Sequence, residues 1–120
     1  MKILFAPSEA KRTGGVQNHM QFCFNIDREE ILQKYDTIIK SGDKEKILKL
    51  FGTKELLDVD IFNSPTLKAV QRYTGVAYEY LDYNSLHTLY QEFIDEHLIT
   101  FSNLFGPLCA KDLIPFYKLK

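Results

Sequence analysis

The run Ile3-Leu4-Phe5-Ala6, closed by Pro7, has no polar side chain to offer to water. Successive side chains of a strand point to opposite faces, so a strand of this composition requires cover on both. Proline has no N–H for an interior ladder and ends the strand where it stands. The expectation is a buried, central strand over 2–6 and a loop over 7–15 that leaves it. A chain of 120 residues can close one core around such a strand, burying roughly two-thirds of its unfolded surface.

Downstream the apolar spacing turns helical. Asp27 and Glu30 form a D-x-x-E capping pattern ahead of Ile31, Leu32, Tyr35, Ile38 and Ile39, which predicts a helix over 28–40. Ser41-Gly42-Asp43 breaks it, and Ile47, Leu48, Leu50 and Phe51 mark a helix over 44–51 before Gly52, with another short one from Lys54. Val16, Met20 and Cys23 stand at helical spacing and predict a helix over 16–24. Ser64-Pro65 sets a capping hydroxyl before a proline, so 66–73 reads as a helix that exits at Gly75. The stretch 76–83 alternates with period two. The longest expected element is a helix over 85–105, with Leu86, Leu89, Phe93, Ile94, Leu98 and Phe101 on one broad face and Gly106-Pro107 as its stop. It should pack across the 2–6 strand. The fold class that follows is α+β, helix-dominated, with a short and incomplete β-sheet.

Lys and Arg number 15 against 16 Asp and Glu, a formal net charge of −1, and neither half is a basic block. Contact with nucleic acid must therefore come from local clustering. Cys23 and Cys109 lie far apart with none of the spacings of metal knuckles or small secreted scaffolds, so reduced thiols in a cytoplasmic protein are expected. No segment approaches the ~20 apolar residues of a membrane span, and the apolar start is too short for a secretory leader. His19 and Cys23 could share a helix face, but no third ligand stands near them, and no metal or cofactor site is expected. Glu92, Asp95 and Glu96 read as the solvated face of the long helix, and no Ser-His-Asp or Cys-His arrangement can be argued from the spacing.

Three segments carry a resemblance. "APSEAKRTGG" is similar to a Pro-Ser-Glu-Gly-Lys-Thr signature, "AVQRYTGVAY" to Ala-Ile-x-x-Phe-x-Gly-x-Val-Tyr, and "FSNLFGPLCAKDLIPFYKLK" to Leu-Ser-Gly-Leu-Tyr-Gly-x-Leu-Arg-Pro-x-Asp-x-Ile-x-Pro-Tyr-Arg-Leu-Glu. In this order and spacing they resemble the YaaA family of peroxide-stress resistance proteins. Two departures stand out: Cys109-Ala110 replaces Arg-Pro, and Phe116-Tyr117-Lys118 replaces Pro-Tyr-Arg. Members of that family are about twice as long, so the resemblance implies a single partial domain over 1–120, the N-terminal half of a larger one. It implies as partner either a C-terminal half or another copy of the chain. It also implies a cytoplasmic role in the response to hydrogen peroxide, limiting free-iron damage, and DNA binding.

The residues allow two readings of the opening loop. As an anion site, Ser8 and Thr13 hydroxyls, Lys11, Arg12 and the backbone at Gly14 and Gly15 surround a phosphate; as a surface turn, the glycines supply permissive torsions and Glu9 neutralises a cation. Segment 104–114 resembles the helix-hairpin-helix of non-specific DNA binders, with Gly106 at the first hairpin glycine and Leu108 where the second should be; equally, Gly106-Pro107 reads as a plain helix stop. Tyr73, Tyr78, Tyr80 and Tyr83 either pack a half-buried surface or offer bases a stacking platform, Tyr78 being the position that matches the family. The leading expectation is a binding protein rather than an enzyme, holding DNA non-specifically in a cleft lined by Lys11, Arg12, Lys111 and Lys118. The alternative is an enzyme-like protein that takes a phosphorylated small molecule at loop 7–15, with Ser8 and Lys11 as anion ligands and Tyr78 or Tyr117 as an acid. Ser8, Lys11, Tyr117 and Lys118 should then meet on one concave surface, since two adjacent cations need an anion, or a carboxylate such as Glu9 or Asp112, to offset them.

Overall fold

The computed structural model describes residues 2–6, 8, 10–51 and 60–118. The fold is α+β. Strand β1 (Ile3–Phe5) is parallel to β3 (Leu98–Ser102), and β3 is antiparallel to β4 (Gly106–Cys109), giving the order β1-β3-β4. A second ladder pairs β2 (Thr66–Lys68) with β5 (Leu113–Pro115), antiparallel.

The first expectation is corrected at once. Strand β1 forms, but β3 is central and β1 is the edge among the described residues. Leu4 is 66% exposed, whereas the opposite face of the sheet, carrying Leu98, Thr100 and Ser102, is buried. Register explains the split. Leu4 stands beside Ile99 in the parallel ladder, and Phe101 follows two residues on, so Leu4 and Phe101 share a face that is left partly open.

Helix α1 (Glu29–Lys40) lies where the spacing predicts. Leu32, Tyr35, Asp36 and Ile39 are its buried stripe, glutamates fill its first turn and Lys40 its last, in keeping with the helix dipole. The Asp27 carboxylate accepts the Glu29 N–H at 3.1 Å. Helix α2 (Lys44–Phe51) buries Ile47 completely. The helix expected from Lys54 lies outside the described residues.

Four other elements differ from expectation, and pairing explains most of it. Residues 16–24 are an extended arm: Val16 exchanges two hydrogen bonds with Thr66, and Gln21 two with Leu113. The open edges of β2 and β5 capture a segment whose helical spacing is weak. Residues 66–68 are strand β2, and only α3 (Ala69–Arg72) is helical. The alternating stretch after Gly75 is helix α4 (Val76–Leu81), followed by a 3-10 turn at Tyr83–Ser85. The long helix is half as long as expected: α5 (Thr88–His97) gives way at Leu98 to β3. A run with apolar residues on one helical face also satisfies a buried strand, and the β-branched Ile99 and Thr100 fit between two neighbours. Helix α5 is held to β2 by polar contacts, with Lys68 bound to Asp95 at 2.8 Å and Tyr83 donating to Asp95 at 2.6 Å. No described helix is long and apolar enough to cross a membrane.

Cys23 and Cys109 are joined by a disulfide, with Cα atoms 6.2 Å apart, which corrects the expectation of reduced thiols. Their distance in sequence hides a nearness that the arm creates.

Candidate anion-binding surface

The loop leaving β1 is shaped by Arg72, a residue whose role is invisible in the sequence. Its side chain is fully buried at the end of α3. The guanidinium donates to the carbonyls of Arg12 at 2.8 Å and Gly14 at 2.9 Å through one nitrogen. Through the others it donates to Pro65 at 3.2 Å and Ile114 at 3.1 and 3.3 Å. A planar fork of donors suits carbonyls that arrive from three segments at once. Burial pulls the pKa down from its usual value to about 10, so the cation persists at neutral pH and its charge is spent inside the fold.

The two loop glycines have separate duties. Gly15 has φ +135°, and a Cβ there would stand 2.6 Å from the Thr66 carbonyl oxygen. Gly14 has φ +81° with open space where a Cβ would go. The carbonyls of Arg12 and Gly14 turn inward to Arg72, while residues 12–15 themselves stay exposed. Ser8 accepts the Ala10 N–H at 3.2 Å and lies against Gly75, where a Cβ would approach its hydroxyl to 2.8 Å.

Lys11 and Arg12 diverge. Lys11 bridges to Tyr73, and its ammonium lies 4.4 Å from the Tyr117 ring centre and 5.8 Å from that of Tyr73. Arg12 instead lines a cleft of about 300 Å3 with Tyr73, Thr74, Tyr78, Glu79 and Asp82. That wall carries two carboxylates beside one guanidinium.

Beneath Lys11 the tyrosines form a hydrogen-bonded chain. Tyr73 and Tyr117 hydroxyls are 2.6 Å apart, and Tyr117 is 2.7 Å from the Ser102 hydroxyl, which also accepts the N–H groups of Leu104 and Phe105 at 3.0 Å. The Tyr78 hydroxyl donates to the Ala6 carbonyl at 3.1 Å, with Thr100 Oγ1 at 3.3 Å. Burial raises the pKa of Tyr73, Tyr78 and Tyr117, so all three hold their protons at neutral pH. Tyr78 and Tyr117 are 7% and 1% exposed, which makes them packing rings with occupied hydroxyls. Tyr80, by contrast, is open to solvent.

Lys111 does not join this surface. It pairs with Glu96 at 2.9 Å and lines a different cleft, with Gln21, Phe22, Cys23 and Asp112. Lys118 follows Tyr117, and its peptide is held at both ends by the Tyr35 hydroxyl, 3.1 Å from its carbonyl and 3.2 Å from its N–H. Gly106, with φ +75°, opens β4 in the turn after β3, so the helix-hairpin-helix expectation fails: strands, not helices, flank it. The structure thus brings Lys11 to Tyr117, while Arg12 and Lys111 face separate clefts.

The family model for the peroxide stress protein YaaA matches residues 1–120. The chain belongs to the YaaA family. Among its relatives, the uncharacterised protein Cj0984 of Campylobacter jejuni is 40% identical over 131 aligned positions, covering 100% of this chain and 53% of its own length. A UPF0246 protein of Corynebacterium glutamicum, Cgl1995/cg2186, is 32% identical and is covered over 50% of its length. UPF0246 protein FN1762 of Fusobacterium nucleatum is 30% identical, with 51% covered. The chain therefore spans about half the length of the curated YaaA-like relatives it matches. Its opening loop, the Ala69–Tyr78 segment and the Phe101–Lys120 segment carry the sequence signatures, and in space Lys11, Tyr73 and Tyr117 connect all three.

Proposed function

We propose that this chain is the N-terminal half of a cytoplasmic YaaA-type protein that limits peroxide and free-iron damage, and that Lys11 binds the phosphate backbone of DNA without sequence preference. The observation that carries the reading is the placement of the Lys11 ammonium over Tyr117 and Tyr73, on a loop whose path Arg72 has already fixed. A pre-positioned cation loses little side-chain freedom when an anion arrives. The face carrying Leu4 and Phe101 would be covered by the other half of a YaaA-length chain, in keeping with relatives twice as long.

The test is the binding of a short fluorescent duplex by anisotropy across a salt series. Lys11→Ala should weaken binding to every duplex alike and reduce the slope of log affinity against log salt by about one. An unchanged slope removes Lys11 from the interface. The second reading is a phosphorylated small molecule at loop 7–15, with Ser8 and Lys11 as anion ligands; saturable, ligand-selective binding with little salt dependence would favour that reading over DNA.

A further inference from the structure

Away from Lys11, the disulfide sits in an unusual setting. Asp112 is 2% exposed, and its two oxygens divide between the cysteines: one accepts the Cys23 N–H and the other the Cys109 N–H, each at 2.9 Å. Gln21 and Leu113 exchange hydrogen bonds of 3.1 and 3.0 Å just before Cys23 and just after Asp112. Arg28 closes the other side of the arm, donating to the carbonyls of Phe105 at 2.6 Å and Pro107 at 2.9 Å. None of these contacts uses sulfur. They join the two cysteine-bearing segments by contacts additional to the S–S bond.

The pair is also reachable. Cys23 is exposed and, with Asp112, Phe22, Gln21 and Lys111, lines a cleft of about 380 Å3, while Cys109 lies behind it at 8% exposure. Lys111 at the mouth is paired with Glu96 at 2.9 Å, and an Asp112 carboxylate oxygen lies within 4.8 Å of both sulfurs, so access and proximity rather than positive charge single out this pair. An attacking thiol needs access, and a resolving thiol needs to be close and shielded.

We propose that Cys23 and Cys109 form a peroxide-oxidised, reversible dithiol site. The Cys23 thiolate attacks one peroxide oxygen, the O–O bond breaks, and Cys23 becomes a sulfenic acid as hydroxide leaves. The Cys109 sulfur then attacks the Cys23 sulfur, the S–O bond breaks, and the departing hydroxide takes the Cys109 proton and leaves as water. Two thiols lose two electrons and one peroxide gains them. A dithiol reductant resets the pair by exchange. Closure pins the extended arm over 16–24 to the end of β4, and the site stands whether or not the Lys11 loop binds DNA.

The experiment reduces the purified chain, removes the reductant and adds one equivalent of hydrogen peroxide. Free thiols should fall by two per chain, with a mass loss of two hydrogens and full recovery on adding a dithiol. Cys109→Ser should accumulate a sulfenic acid that a dimedone probe captures on Cys23, whereas Cys23→Ser should be labelled about tenfold more slowly or less. Thiols that survive peroxide, or equal labelling of the two variants, overturn the proposal. So does a reduced chain whose circular dichroism shows it unfolded, since the bond would then be structural.

Discussion

Replacing Arg72 tests the claim that one buried cation shapes the loop. Arg72→Met keeps the length and much of the volume but leaves the carbonyls of Arg12, Gly14, Pro65 and Ile114 without their donor. Hydrogen bonds to a charged group contribute about 1.5–3 kcal/mol each, so the gross loss is large. Against it stands the desolvation that the lowered pKa records, which the methionine escapes. Each buried carbonyl left unsatisfied costs about 1–3 kcal/mol, and the relieved desolvation offsets part of the sum, so the expected net loss is about 3–5 kcal/mol. In a domain of this size that corresponds to a fall in Tm of roughly 10–25 °C. Arg72→Lys should recover little, because an ammonium offers three donors from one point and cannot reach carbonyls on three segments. Urea unfolding followed by far-ultraviolet circular dichroism gives the free energies, and limited proteolysis reports whether residues 12–15 become cleavable. If both variants lose less than about 1 kcal/mol and the loop stays protected, the guanidinium is not what holds it.

Gly15→Ala should destabilise by about 1–3 kcal/mol, since the new Cβ meets the Thr66 carbonyl, whereas Gly14→Ala, with open space, should lose only about 1 kcal/mol of torsional preference; equal Tm shifts would deny the contact. Reducing the disulfide, which spans 86 residues, should lower stability by about 4–5 kcal/mol on the chain-entropy account, and an unchanged urea midpoint would refute it. Alkaline pH should unfold the chain. Tyr35 is raised to about 12, and Tyr73, Tyr78, Tyr83 and Tyr117 are raised too, so the stability they contribute is complete below the unfolded tyrosine value of about 10 and drains away as pH climbs through the folded values. Urea midpoints at pH 8 and pH 11, with tyrosinate absorbance, check this; equal midpoints would contradict it.

What could be read ahead of the coordinates was local. Helices α1 and α2 announce themselves because one spacing serves both the helix and its burial. Strand β1 follows from an apolar run stopped by proline, but its place at an edge depends on β3, and β3 was hidden inside a convincing helical stripe. The arm over 16–24 is extended because other strands have edges to fill, which no window of its own residues records. The same holds at the candidate site. Lys11 and Tyr117 could be singled out from their motifs, whereas Arg72 and the Cys23–Cys109 bond could not, since a buried guanidinium and a distant thiol pair look like a surface cation and two spare cysteines until the chain is folded.

Strand β1 is fastened on one side only among the described residues, through its ladder with β3, and the loop bearing Lys11 starts just beyond its end. A chain segment laid along the vacant side would stiffen the root of that loop while remaining remote from the ammonium it steadies. The margin and the Lys11 loop thereby share one short strand as their common support.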